Sequence, residues 1–321
     1  SEATTTTSTS IASATGGNFE NLVVNTGAAS TTVSDSTDNT TVSLSATSSI
    51  SEDDTAIVYT ATLTNAADGA VTVSLANGDS ITIADGSTTG SVSTTVTADS
   101  DVYNEATTTT STSIASATGG NFENLVVNTA AANTTVSDST DNTTVSLSAT
   151  SSISEDDTAI VYTATLTNAA DGAVTVSLAN GDSITIADGS TTGSVSTTVT
   201  ADSDVYNEAT TTTSTSIASA TGGNFENLVV NTAAANTTVS DSTDNTTVSL
   251  SATSSISEDD TAIVYTATLT NAADGAVTVS LANGDSITIA DGSTTGSVST
   301  TVTADSDVYN EATTTTSTSI T

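Results

Sequence analysis

The chain has 321 residues, with 37 Asp and Glu against no Lys, Arg or His, a formal charge of −37. Without His, Cys or Lys, catalytic triads, thiol nucleophiles, thiolate zinc sites, Schiff bases and Walker-type phosphate loops each lack a necessary residue, so no enzyme is expected. Nucleic acid and anionic lipid repel such a chain, and no apolar run approaches the ~20 residues of a membrane span, so neither nucleic-acid binding nor membrane insertion is expected.

Self-similarity sets the organisation. The stretch "EATTTTSTSIASATGGNFENLVVNT" begins at Glu2, Glu105 and Glu208, a spacing of 103 residues, and "EATTTTSTSI" returns at Glu311. Internal differences fall where "GAAS" (Gly27 to Ser30) becomes "AAAN" at Ala130 and Ala233. A unit of about 100 residues is large enough to close its own core, unlike the repeats of a solenoid. The frame adopted places a partial repeat at 1–37 and repeats at 38–140, 141–243 and 244–321, the last lacking its final strand. A second frame, 2–104, 105–207 and 208–310, would make "DSDVYNEA" the linker.

Taken in chain order, one repeat reads as alternating apolar and Ser/Thr residues. "TVSLSA" (Val42, Leu44, Ala46), "VTVSL" (Val71, Val73, Leu75) and "SITIA" (Ile81, Ile83) have the period of half-buried antiparallel strands. Asn77-Gly78 lies between two such runs, a strong hairpin signal, and "NAADGA", "ADGSTTG" and "ATGGNFEN" mark further turns. Strands are expected at 40–46, 56–64, 70–75, 80–84, 90–98, 106–117 and 124–137. About seven short strands per repeat predict an all-β chain of tandem immunoglobulin-like β-sandwich domains in a linear array. Tyr103, with Tyr206 and Tyr309, stands just before the sixth strand, as a tyrosine corner or as a packing cap.

If the strands run alternately up and down, the loops sort to two poles. The exit pole collects Glu52, Asp53 and Asp54, then Asp79, then Asp99, Asp101 and Glu105, and finally Asp138 and Asp141. The opposite pole carries Asp68, Asp85 and Glu123, whose equivalents in the next repeat, Asp171, Asp188 and Glu226, face the same linker. The period adds Glu155, Asp156, Asp157, Asp202, Asp204, Glu208, Asp241, Asp244, Glu258, Asp305 and Asp307. Two carboxylates about 4 Å apart repel by ~1 kcal/mol in water and ~4 kcal/mol at an effective dielectric of 20, and no side chain here can answer them. Calcium, which takes six to eight oxygens in irregular geometry, reverses that sign. Acids placed for solubility would also dot the strand faces, whereas nearly all of these keep to loops and linkers, so the clusters, apart from Asp68, Asp79, Asp85, Glu123 and Glu226, are read as Ca²⁺ ligands. "DSDVYNEA" lacks the Gly and Glu of an EF-hand loop.

At "SISEDDTAIVYTATLTNAA", "VTVSLANGDSITIADGSTTGSVSTTVTADSDVYNEA" and "TGGNFENLVVN" the sequence resembles the extender repeats of giant bacterial RTX-type adhesins, the large-adhesion-protein and biofilm-adhesin group. The resemblance covers all three periods and implies calcium-stabilised immunoglobulin-like domains in tandem, secreted by a type I system and holding an adhesive tip away from the bacterial cell. "ITIADGSTTGSVSTTVTADSDVYNEA" is also similar to Calx-beta repeats, and that match singles out Glu52, Asp99 and Asp101 as ligands. Where the Calx-beta pattern tends to a denser acidic run this chain has Ser100, and the glycine-rich nonapeptides of RTX calcium rolls are absent.

The function expected is therefore structural: a calcium-rigidified spacer, a monomeric rod at the cell surface whose partners are its own neighbouring repeats. The alternative is a binding module for ice or polysaccharide that uses Thr-rich strand faces such as "TTTTSTS".

Overall fold

The structure, a computed structural model, describes residues 2–321, and among them regular structure is entirely β. A two-stranded pair comes first, β1 (Thr5–Thr9) with β2 (Ala29–Val33). The next repeat holds β3 (Asn39–Ala46), β4 (Ser49–Ser51), β5 (Ala56–Leu63), β6 (Val71–Leu75), β7 (Ser80–Ile83), β8 (Thr89–Thr95), β9 (Thr108–Thr112), β10 (Ile114–Gly119), β11 (Asn124–Val127) and β12 (Ala132–Ser137). The same series recurs as β13 (Asn142–Ala149), β14 (Ser152–Ser154), β15 (Ala159–Leu166), β16 (Val174–Leu178), β17 (Ser183–Ile186), β18 (Thr192–Thr198), β19 (Thr211–Thr215), β20 (Ile217–Gly222), β21 (Asn227–Val230) and β22 (Ala235–Ser240). The last repeat has β23 (Val248–Ala252), β24 (Ala262–Leu269), β25 (Val277–Ser280), β26 (Ser286–Ile289) and β27 (Thr295–Thr301). The chain divides into two compact units, Ser1–Thr143 with Asn224–Val229, and Thr144–Gly223 with Val230–Thr321.

In the first unit, β3, β5 and β8 form an antiparallel sheet to which β11 adds in parallel beside β3. The other face of the sandwich is built from β10-β6-β7 and β4-β12-β9, which meet where β9 runs into β10. Alternation decides what lies between them: Val42, Ile57, Tyr59 and Leu63 from one sheet meet Val71, Val73, Ile81, Ile83 and Ile114 from the other, all buried. This is the immunoglobulin-like sandwich, with the inward face of each strand apolar and the outward face Ser and Thr. The second unit repeats the ladders as β18-β15-β13, β17-β16-β20 and β14-β22-β19. Its last repeat keeps β23-β24-β27 and β25-β26, packed around Ile263, Tyr265, Ile287 and Ile289.

Two of the seven expected strands come as pairs. The run 106–117 breaks at Ser113, where its carbonyl accepts from Ala76 N–H at 2.9 Å, and a bulge follows between Ile114 and Ser116. The run 124–137 breaks between β11 and β12 because it changes sheets, leaving β3 to pair with β4 and β9. The break is held by Asn128, whose Oδ1 accepts from Ala130 N–H at 3.0 Å. The short β4, unexpected from the sequence, supplies the parallel partner of β12, and buried Thr134 ties the crossing by donating to Thr47 O at 2.7 Å.

The hairpin at Asn77-Gly78 forms as expected, closed by Leu75 N–H to Asp79 O at 2.8 Å with Gly78 at φ +95°. At the opposite pole Gly119 has φ +102°, and a Cβ there would stand 2.2 Å from Ala70 O. The Tyr103 ring stacks on Phe225 with centroids 5.9 Å apart, a packing contact, and one period on the Tyr206 hydroxyl donates to Ala272 O at 3.1 Å.

Candidate metal centre

The up-and-down order of the strands gathers the exit-pole loops of the first unit. Asp99 N–H donates to Glu52 O at 3.1 Å, which fixes the β8–β9 loop against the β4–β5 turn. The end of β12 arrives beside them, with Ser139 Oγ donating to Glu52 Oε1 at 2.9 Å. Segment 224–229 closes the group: Asn104 N–H donates to Asn224 O at 2.8 Å, and Glu226 N–H to Val102 O at 3.1 Å. Carboxylate oxygens of Glu52, Asp138 and Glu226 consequently lie within 4.8 Å of one another.

Glu52 is buried, at 7 % exposure, and the other two are half-buried. Asp138 Oδ2 accepts from Glu105 N–H at 3.1 Å and Asn104 Nδ2 at 3.3 Å, whereas its Oδ1 is inaccessible and has no hydrogen-bond partner. Glu226 Oε2 accepts from Asp141 N–H, and its Oε1 is again inaccessible and unpartnered. Beside this trio a cavity of about 310 Å³ opens between an apolar floor that includes Ile50, Val96 and Val136 and an acidic wall of Glu52, Asp54, Asp99, Glu105 and Asp138.

The electrostatics follow from the crowding. Loss of water raises the Glu226 carboxyl above the usual range; the Asp141 N–H opposes this, and Asp138, Glu52 and Asp141 add to it. Glu105 is raised chiefly by Asp99, then by desolvation, Asp101, Glu52 and Asp138. In the second unit Glu208 is raised first by Asp202, then by Asp204, desolvation, Glu155 and Asp241.

The expected ligands separate into groups. Glu52 and Asp138 join the trio, and Asp305 and Asp307 lie with Glu311 in an exposed second trio within the same 4.8 Å. Asp241 Oδ1 is inaccessible and unpartnered, as in Asp138 one period earlier. Glu155 Oε1 accepts from Ser242 N–H and Oγ, and Asp244 Oδ2 from the same hydroxyl at 3.2 Å. Asp54 and Asp157 turn their carboxylates onto Ser51 and Ser154 N–H at 2.9 Å and shape the turn, while Asp53 and Asp156 are exposed. Asp101 and Asp204 each spend one oxygen on the N–H of the tyrosine two residues on, at 2.7 Å, and Asp307 does the same for Tyr309. Asp99, Asp202 and Glu258 are exposed, and Asp141 reaches the trio through its backbone. Asp188 holds Gly172 N–H at 2.9 Å in a turn and Asp171 is bonded through its N–H to Gly223 O, at the other pole.

The LapA domain matches residues 38–139, 141–242 and 244–321. The chain belongs to the LapA domain family. LapA is a large biofilm adhesin, so three LapA domains in succession make this an adhesin repeat region of a cell-surface protein. The family and the all-β repeat fold point to a structural protein. Among solved structures, the chain is similar to CBD12 from CALX1.2 (8 % identity, 63 % of this chain and 100 % of that chain, TM-score 0.27). It is also similar to the calcium binding domain CBD12 of CALX1.1 (8 %, 61 % and 99 %, 0.26) and to a two-domain protein of unknown function from Bacteroides fragilis (10 %, 50 % and 89 %, 0.25). No curated protein matches the chain. No helix long and apolar enough to cross a membrane occurs among the described residues.

Two members of these LapA-domain clusters were absent from the expected ligands. Glu311 was legible from the period, as the copy of Glu105 and Glu208. Glu226 was placed facing the linker, but only the fold brings its carboxylate to Glu52 and Asp138.

Proposed function

We propose that these repeats form a calcium-rigidified spacer that projects a distal ligand-binding region of the adhesin from the cell. One observation carries the reading: carboxylate oxygens of Glu52, Asp138 and Glu226 lie within 4.8 Å of one another, and Asp138 and Glu226 each keep an inaccessible, unpartnered oxygen, in a chain with no cationic side chain. A buried acceptor without a partner costs roughly 1–3 kcal/mol, and more when charged. The donor set is all oxygen and all anionic, which suits a hard divalent cation. Glu52, Asp138 and Glu226 would hold it, and the ion would neutralise their repulsion and tie together the β4–β5 turn, the end of β12 and segment 224–229. A core running from Val42 to Val136 supports repeat boundaries near 38–140 and their copies one period on.

Millimolar calcium should raise the melting temperature. Ligand at ten times Kd adds ~1.4 kcal/mol for one site, and at about 4–8 °C per kcal/mol in a domain of this size the shift is ~6–11 °C. An unchanged midpoint between EDTA and calcium sinks the reading. Affinity is expected in the ~10⁻⁴ to 10⁻³ M range of extracellular modules. Export by a type I system fits that setting, since calcium then loads only outside the cell.

A second reading, recognition of polysaccharide or ice, has one observation behind it. Register aligns Thr118, Thr72 and Thr82 across β10, β6 and β7, with Ser116, Ser74 and Ser80 in the next row. Binding to a glycan array or inhibition of ice recrystallisation would support it, and silence in both would remove it.

A further inference from the structure

Tyr103 and Phe225 meet as an isolated antiparallel bridge. Its two hydrogen bonds come from the flanking residues, Asn104 N–H to Asn224 O at 2.8 Å and Glu226 N–H to Val102 O at 3.1 Å. A pair held between such bonds is the kind whose side chains approach most closely, and here the rings stack with centroids 5.9 Å apart and planes 22° apart.

Successive side chains of an extended segment point to opposite faces, so the stack on one face decides what the other face carries. Phe225 gives its ring to Tyr103, and the next residue, Glu226, brings a carboxylate oxygen within 4.8 Å of oxygens of Glu52 and Asp138. The facing segment follows the same rule: Tyr103 gives its ring to the stack, and the next residue, Asn104, donates from Nδ2 to Asp138 Oδ2 at 3.3 Å. Both segments are also set locally. Asp101 Oδ1 accepts from Tyr103 N–H at 2.7 Å, and Asn224 holds φ +49°, in the left-handed region that Asn enters more readily than most residues. A two-stranded pairing of two bonds is marginal by itself, and repulsion among Glu52, Asp138 and Glu226 acts to open it. The stacked rings oppose that opening.

We propose that Tyr103 and Phe225 form an aromatic clasp, positioning residues that set Glu226 against Glu52 and Asp138 before any cation arrives, a role that rests on reading the trio as a calcium site. Neither ring is a ligand. They reduce the ordering that binding must supply, so the cation meets oxygens already gathered. Metal and clasp then hold segment 224–226 from its two faces.

The test exploits a chain that has no tryptophan. F225W keeps a stacking ring and makes position 225 the only source of indole emission. In EDTA, adding Y103A to F225W is expected to raise acrylamide quenching of that emission at least twofold, whereas Y103F, which keeps the ring, leaves it unchanged. Calcium affinity is then measured by titration calorimetry, with the heat that E226Q removes taken as the signal of this site. From the usual strength of an aromatic pair, Y103A is expected to weaken that affinity about two- to tenfold, and Y103F to match F225W. If E226Q removes no heat from the parent chain, the trio is not a calcium site, and the spacer reading fails together with the positioning role. If E226Q does remove heat but Y103A binds calcium as tightly as F225W, or if Y103A leaves quenching in EDTA unchanged, the positioning role alone is overturned.

Discussion

At the scale of single residues, Asp138 and Glu226, with Asp241 one period after Asp138, differ from the other described acids in having an oxygen that neither water nor a donor reaches. Asp138→Asn or Glu226→Gln should therefore cut the calcium-induced rise in melting temperature by at least half, while exposed Asp53→Asn should leave it within about a degree. Titration calorimetry on the same variants gives a direct check, and equal losses at Asp53 and Asp138 would show that the trio is not the principal site. The raised carboxyls add a pH signature. A carboxyl whose folded-state pKa lies above its unfolded value contributes stability that is full below the unfolded pKa and is lost as pH rises through the folded one. Glu105, Glu208 and Glu226 all shift upward, so in EDTA the protein should melt higher near pH 5 than at pH 7. Calcium needs the deprotonated oxygens, so in its presence the order should reverse. A metal-free melting temperature that falls on acidification from pH 7 to 5 would contradict this account.

At the scale of elements, the repeat depends on turns that admit almost no side chain. Gly78 and Gly119 both have positive φ, but open space surrounds a Cβ at Gly78 while Ala70 O blocks one at Gly119. Replacing Gly78, Gly181 and Gly284 by Ala should cost each repeat about 1–2 kcal/mol, the backbone term alone. Replacing Gly119 and Gly222, which meet the carbonyls of Ala70 and Ala173, should cost clearly more, since the β10–β6 and β20–β16 ladders must shift as well. Urea midpoints of the two variants order them, and similar midpoints would mean the sheet yields easily. The same pairing logic explains why the last strand changes sheets: β11 completes the sheet of β3, and β12 completes that of β4.

At the scale of the whole molecule, a spacer must resist folding back at its joints. The linker "SDSTDN" has no proline to stiffen it, and Asp138 and Asp141 within it already engage Glu105 and Glu226. With calcium, proteinase K should spare residues 137–142 and the "DSDVYNEA" loops, and with EDTA it should cut there first while the β-sandwich cores survive. Small-angle scattering is expected to report a stiff, extended particle in calcium and a broader distance distribution after chelation. A chelated sample that stays folded and equally stiff would assign the stiffness to contacts such as Tyr103 on Phe225 instead of to metal.

The sequence by itself determined the period, the β class, the hairpin at Asn77-Gly78 and the alternation that buries Val71, Val73, Ile81 and Ile83. These are local properties: side chains on a strand alternate between faces and a turn needs particular residues, whatever the chain does elsewhere. It also placed Glu52 and Asp138 in loops that the up-and-down order sends to one pole. What only the tertiary structure decided was partnership. Of three adjacent acids in "SEDD", Glu52 turns inward while Asp54 folds back onto Ser51 and Asp53 stays in water, a choice set by the β4–β12 pairing. Glu226 comes from a distant part of the sequence, and its approach to Glu52 and Asp138 rests on backbone bonds to Val102 and Asn104 that no local pattern encodes. Strand periodicity fixes which way a residue faces, but long-range pairing fixes which residues it meets.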